Sequence, residues 1–548
     1  MPTITLDKKD VMKLVGKEIP DDRLKDRISM LGTDLEKVSD SEIIVEIFPN
    51  RPDLLSEEGF ARALSSFIGV KTGLRKYDVK KSLFKVKVEK SVENVRPFIR
   101  CAVLKNVNLS DEAIKSLMQL QEKLHLTHGR KRRKVAIGVH DFDVIKFPLV
   151  YKAVKPDLIS FVPLGMTAEM NLAQILSKHP KGRDYAFCLD GLEKYPVIID
   201  AKNDVVSFPP IINGIVTQVR EETKNLFVDV TGTDVNAVTQ ALNILVASLA
   251  DRGAEIYSLD VGGIVSPDLI PRKMKVELSY VNKLLGLSLK QKEFEELLSK
   301  MGLGYDKEVL IPAYRGDIIH PVDVVEAAAI AYGYENFQPE IPNLVTIAEE
   351  NPFEKFKSKI AELLVGLGMI ETNTYHITNK ESLNKKMNLE LSCVELSNAL
   401  TTDYDVLRSW ITPSLMDVLR NNRNREFPQK IFEMGICFKE NNETETGVEE
   451  FTRLAVLISH TKANFTEIKQ MLDYLFNILC LEYKTEDTEH TSFIRGRVGR
   501  VVVDGKKLAY IGELSPEVIT NWELEMPVAA LELNLTELFE LILKQKTL

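Results

Sequence analysis

Two pairs of glycines, each 16 residues apart, constrain this chain more than any other feature. Gly16 and Gly32 close the runs Lys13-Leu14-Val15-Gly16 and Ile28-Ser29-Met30-Leu31-Gly32. Gly286 and Gly302 close Lys283-Leu284-Leu285-Gly286 and Leu298-Ser299-Lys300-Met301-Gly302. Glycine just past an apolar-periodic run stops a helix, because the chain turns there through a left-handed conformation that a Cβ disfavours. The first copy therefore predicts helices over Lys8 to Val15 and Pro20 to Leu31, with proline just inside the start of the second. Ser288 to Gln291 has capping-box spacing at the matching helix of the second copy. Each copy runs on into a strand and then an Arg-x-Asp, Arg51-Pro52-Asp53 and Arg315-Gly316-Asp317. The pattern reads as a duplicated helix–helix–strand module, its copies 270 residues apart.

At 548 residues the chain is too long for one core and calls for about three or four domains. The first module occupies residues 1–75 and its echo 268–343. Between them, over 85–265, lies an α/β segment with strand-like runs at Val86-Lys87-Val88, Arg100 to Leu104, Val197 to Ile199 and Leu226 to Val230. It also carries an apolar helix from Val235 to Arg252. A second unit, 350–548, starts with an amphipathic helix from Phe353 to Leu367, and Pro339 to Glu350 is the linker. The expected class is multidomain α+β.

A hydrophobic content of 44% and a charged content of 28% are ordinary for globular protein. No uninterrupted apolar run reaches the ~18 residues of a membrane span, and the N-terminus lacks an apolar leader core, so a cytoplasmic protein is expected. The five cysteines are scattered and odd in number, with no Cys-x-x-Cys, which points to reduced thiols rather than disulfides or a zinc site. A net charge of −9 argues against a generic nucleic-acid binder, which needs cations to neutralise phosphate.

Within this acidic chain Arg130-Lys131-Arg132-Arg133-Lys134 is the densest basic run. It is expected in an exposed loop and is a candidate phosphate contact, or else a solvated charge run. Asp317, Asp323 and Glu326 are the best metal candidates: Pro321 suits the first turn of a helix, which puts Asp323 and Glu326 on one face, and magnesium is held by few carboxylates. Acids in a first turn are equally explained by the helix dipole. Ser207-Phe208-Pro209-Pro210-Ile211-Ile212-Asn213-Gly214 and Thr223 to Asp234 offer hydroxyl, amide and carboxylate groups suited to a small polar ligand. For the second stretch, Thr231 and Asp234 capping the following helix is an equal alternative. His140-Asp141-Phe142-Asp143 is the one local His/carboxylate cluster, and a polar turn accounts for it.

At these stretches the chain resembles the β subunits of phenylalanyl-tRNA synthetases of archaeal and eukaryotic type. The resemblance rests on Phe48 to Asp53, Val135 to Asp141, Ser207 to Asn213, Ile311 to Ile318, Leu396 to Leu400, Val406 to Trp410 and Lys430 to Gly435, spread from end to end in the family's order. It implies winged-helix-like small modules, an editing-type central domain that binds tRNA, and a C-terminal antiparallel sheet domain similar to a degenerate class II synthetase. It also implies an (αβ)₂ heterotetramer in which α binds phenylalanine and ATP and charges phenylalanine tRNA. A class II Phe-Arg-x-Glu motif is replaced by Ile431-Phe432-Glu433-Met434, which fits a packing role, with Asp403 to Arg425 near α.

Ser207, Asn213, Asp229 and Thr231 are then editing-pocket candidates for tyrosine mischarged onto that tRNA, and Asp317, Asp323 and Glu326 match the family's Mg²⁺ carboxylates. Where the family has another acid after Glu326, this chain has Ala327. A stand-alone aminoacyl-tRNA hydrolase and a nucleic-acid-binding protein are the competing readings.

Overall fold

The computed structural model describes residues 2–546. It divides between Ile341 and Pro342 into two compact units, inside the proline-bounded stretch 339–350.

In the first unit both small modules are built alike. The first is strand Thr3–Asp7, helices Lys8–Val15 and Asp21–Met30, then strands Asp34–Val38 and Glu42–Glu46. The second is Arg272–Met274, Leu278–Leu285, Gln291–Lys300, Gly304–Asp306 and Glu308–Ile311. Each forms a three-stranded antiparallel sheet with its last strand in the middle. The four glycines are left-handed, at φ 83° and 94° in the first copy and 66° and 70° in the second. A leading strand precedes each helix pair, which the helix–helix–strand reading lacked. Ser288 is not the cap expected there: the helix starts at Gln291, and Glu293 Oε2 accepts the Lys290 amide at 2.7 Å.

Between the modules two sheets face each other. The five-stranded sheet runs Val79–Lys80, Glu255–Tyr257, Phe98–Lys105, Leu226–Gly232, Val135–Asp141 in spatial order. Its residues alternate between faces, as strands must. Leu226, Val228 and Val230 pack in the core shared with helix Val235–Asp251 and both modules, whereas Phe227 joins the core of the second sheet through Tyr151 and Ile198. Asp229 and Thr231 therefore project on the Phe227 side. The second sheet has seven strands, ending in Tyr195–Ile199, Val205–Phe208 and Ile212–Asn213.

The second unit centres on a seven-stranded sheet, antiparallel except where Ile370–Glu371 pairs in parallel with Gln429–Glu440. Helices Pro352–Gly366 and Phe465–Ile478 cover one face around Phe432, and Thr412–Asn421 covers the other with Trp410 and Trp522. Among the described residues no helix is long and apolar enough to cross a membrane.

Candidate functional site

The edge strand Val135–Asp141 pairs antiparallel with Leu226–Gly232, placing Gly138 opposite Asp229 and His140 opposite Phe227. A diagonal neighbour two residues along is within reach of a long side chain, and His140 Nε2 lies 2.8 Å from Asp229 Oδ2. The other ring nitrogen lies 2.8 Å from the Thr217 hydroxyl. Gly138 makes this possible, since a Cβ there would lie 2.2 Å from Asp229 Oδ2.

A cavity of about 380 Å³ opens beside this strand, and Ser207, Asn213, Asp229 and Thr231 all line it. Ser207 Oγ donates to Asn213 Oδ1 (3.1 Å), and Asn213 Nδ2 donates to the Val139 carbonyl (3.3 Å). The buried Arg96 donates to Thr231 Oγ1 (2.9 Å) and to its carbonyl (2.8 Å). Thr231 Oγ1 thus keeps its own hydrogen to give. Ile114, Leu117, Ile137 and Val219 form an apolar wall. Asp234 does cap the following helix, accepting from Ala237 N at 2.9 Å, while Thr231 does not. Ser207 faces an amide rather than a base, whereas the Thr217 hydroxyl, which also lines the cavity, is in line with His140 and Asp229.

The basic run is not a uniformly exposed loop. Arg130, Lys131 and Arg132 all take left-handed backbone conformations, at φ 48°, 53° and 66°, a strain that non-glycine residues accept only where surroundings enforce it. The twist sends Arg132 inward. It is 8% exposed, lines the cavity, donates to the Pro210 and Ile211 carbonyls (3.2 and 2.9 Å) and pairs with Glu122 (2.9 Å). Lys134 pairs with Asp234 at 3.2 Å. Arg130, Lys131 and Arg133 face solvent along an open cleft beside Phe187.

The three carboxylates of the second module are not gathered. Both oxygens of Asp317 are taken by Arg315 (2.8 and 2.6 Å), Asp323 Oδ2 accepts the Ile319 and His320 amides (2.7 Å each), and Glu326 is exposed. Among the described residues no group of three or more His, Cys, Asp or Glu side chains is placed to hold a metal ion. As placed, these residues do not form a magnesium centre, because Asp317 is turned into its pair with Arg315, Asp323 Oδ2 is turned to backbone amides, and no three such side chains converge.

Arg96 and Thr217 escaped the sequence reading, and His140, read there as part of a polar turn, is instead buried within strand Val135–Asp141 and paired with Asp229. The signal for His140 was the antiparallel alignment of two distant runs, not its neighbours Asp141 and Asp143. His125 escaped it too. Its Nε2 accepts the Ile137 amide at 2.8 Å, fixing the strand that carries Gly138, and burial pulls its pKa down to about 4 from 6.5. Between those values the unfolded chain binds the proton and the folded chain does not, so stability falls as pH drops through that window. The contribution is at most about 3 kcal/mol. Urea midpoints compared across this window should fall towards acid in the wild type, and His125→Gln should flatten part of that fall; an identical slope in the variant contradicts this.

Comparison with known proteins agrees with this architecture. Residues 338–535 match the family described as phenylalanyl tRNA synthetase beta chain CLM domain, and 274–334 match the tRNA synthetase B5 domain. The phenylalanine–tRNA ligase β subunit of Archaeoglobus fulgidus is 43% identical over 98% of this chain and 99% of that protein. That of Pyrococcus abyssi is 41% identical over 98% and 100%. Among solved structures, an N-terminal fragment of the phenylalanyl-tRNA synthetase β-subunit from Pyrococcus horikoshii superposes with a TM-score of 0.58 at 39% identity, covering 60% of this chain and 99% of the fragment. On identity sustained over almost its whole length, the chain belongs to the family of phenylalanine–tRNA ligase β subunits.

Proposed function

We propose that this ligase subunit works with an α partner in an (αβ)₂ heterotetramer and clears tyrosine mischarged onto phenylalanine tRNA in its central domain. The observation that carries the reading is the convergence of Ser207, Asn213, Asp229 and Thr231 on one cavity of about 380 Å³, within the size range of small-ligand sites. On this reading phenylalanine and ATP bind to α, and magnesium arrives there with the nucleotide, which supplies most of its ligands.

A synthetic pocket shaped for phenylalanine cannot strongly reject the same side chain bearing one hydroxyl. A second pocket with a buried acceptor can, because the analogue without a hydroxyl leaves that acceptor unpaired. Asp229 is the acceptor and Thr231 its neighbour. The ester carbonyl then lies towards Ser207 and Asn213, where a bound water attacks it, and the arginines of the loop meet the acceptor-end phosphates. The small modules act as winged-helix-like packing units over 1–75 and 268–343, the editing-type domain spans 85–265, and 350–548 is a degenerate class II-like domain. Exposed Tyr375, Leu400 and Tyr404, at 73%, 100% and 45%, support an α-facing surface around Asp403 to Arg425, since obligate interfaces resemble a core cut in half.

The test is hydrolysis of preformed Tyr-tRNA and Phe-tRNA by the α/β complex without ATP. Tyr-tRNA should be hydrolysed at least ~100-fold faster. Equal rates on the two esters overturn the editing assignment.

A further inference from the structure

The two copies of the small module meet, and they do so reciprocally. A Cβ on Gly32, at the end of the first copy's second helix, would touch Ile330 on helix Pro321–Tyr332, which follows the second copy. A Cβ on Gly302, its counterpart, would touch Ser66 on helix Glu57–Phe67, which follows the first copy. Ser66 and Ile330 each stand 13 residues beyond the aspartate of their Arg-x-Asp. Contacts exchanged in this way are the mark of a twofold arrangement, here between halves of one chain.

Near these contacts each copy carries the same clasp. Arg51 grips Asp53 through two bonds of 2.9 Å, and Arg315 grips Asp317 through bonds of 2.8 and 2.6 Å. Arg51, Asp53 and Arg315 are 8%, 2% and 5% exposed, and the Asp317 side chain 11%. The two clasps stand at one seam: Arg62, on the helix that follows the first clasp, lies over the ring of Tyr314, the neighbour of Arg315, at 4.1 Å, and Arg27 of the first copy pairs with Glu335 beyond the second at 3.0 Å.

We infer that Asp317 is not a metal ligand in this chain but one of four charges in a buried lock, Arg51–Asp53 against Arg315–Asp317, that fixes the two modules on each other. The first copy argues this independently. At the places of Asp323 and Glu326, six and nine residues past the clasp aspartate, it has Gly59 and Arg62. Its clasp is nevertheless intact, so the clasp needs no metal and no accompanying acids.

The experiment compares Asp53→Asn, Asp317→Asn and the double variant in the full chain, by urea unfolding in EDTA and in millimolar magnesium. Manganese titration followed by electron paramagnetic resonance is run alongside. Each single change is expected to lower the midpoint, the double to lower it by less than the sum, and all losses to be the same with and without magnesium. Asp317→Asn should leave manganese binding unchanged. Additive losses, a loss that appears only with magnesium, or manganese binding that Asp317→Asn removes would each overturn the lock. Should the aspartate variants fail to fold, Arg51→Lys and Arg315→Lys keep the charge but lose the two-point grip, and the same coupling is read from them.

Discussion

Replacing Asp229 by alanine in the assembled ligase is expected to slow Tyr-tRNA hydrolysis about 10²–10³-fold, the usual cost of removing a positioned polar group from an enzyme site. Phenylalanylation should stand if, as proposed, synthesis takes place on the partner. Tyrosine should then accumulate on the tRNA. Alanine also leaves the buried His140 without its acceptor, at a cost of about 1–3 kcal/mol in stability. Asp229→Asn separates the effects, since its amide oxygen still accepts from His140 while the negative charge is gone. Gly138→Ala should mimic the loss without replacing a polar residue, because its methyl would fall 2.2 Å from Asp229 Oδ2 and displace it. Unchanged hydrolysis by Asp229→Ala would remove Asp229 from the site.

Arg408→Met is expected to destabilise the second unit by about 3–5 kcal/mol, the cost of leaving a buried charge uncompensated. Arg408 and Glu433 pair at 2.6 Å with side chains only 1% and 2% exposed. Arg408 also donates to the Ile436 carbonyl and to Thr374, whose hydroxyl donates to Glu433. Gly435 leaves the room: a Cβ there would lie 2.0 Å from an Arg408 nitrogen. The double variant Arg408→Met/Glu433→Leu should recover most of the loss, since apolar replacement of a whole buried pair is often neutral. Calorimetric unfolding checks both; a single variant as stable as the wild type would show that the pair is not isolated from water.

Much of the fold was legible because its punctuation is local. The left-handed turns at Gly16, Gly32, Gly286 and Gly302 demand glycine, so the duplication shows as spacing alone. The strands that lead each module are three to five residues long, too short to show alternation, and only pairing creates them. The pocket was legible differently. Nothing in the periodicity of Leu226–Gly232 singles out Asp229, and resemblance to a family did. The pairing of His140 with Asp229 stayed hidden because the two lie 89 residues apart and meet only through strand register. Arg132 stayed hidden because charge counting cannot tell which side chain of a basic run a backbone twist will bury. The carboxylates of the second module show the reverse: their spacing suits a cation, but Arg315 and two backbone amides claim them first.

The most direct test of the account is phenylalanylation of cognate tRNA by this chain, alone and mixed with its α partner, with the mass of the mixture measured by light scattering. The chain alone should show no activity, and the mixture should charge tRNA as a particle containing two copies of each subunit. Activity from the chain alone, or a mixture that neither associates nor charges tRNA, would contradict this.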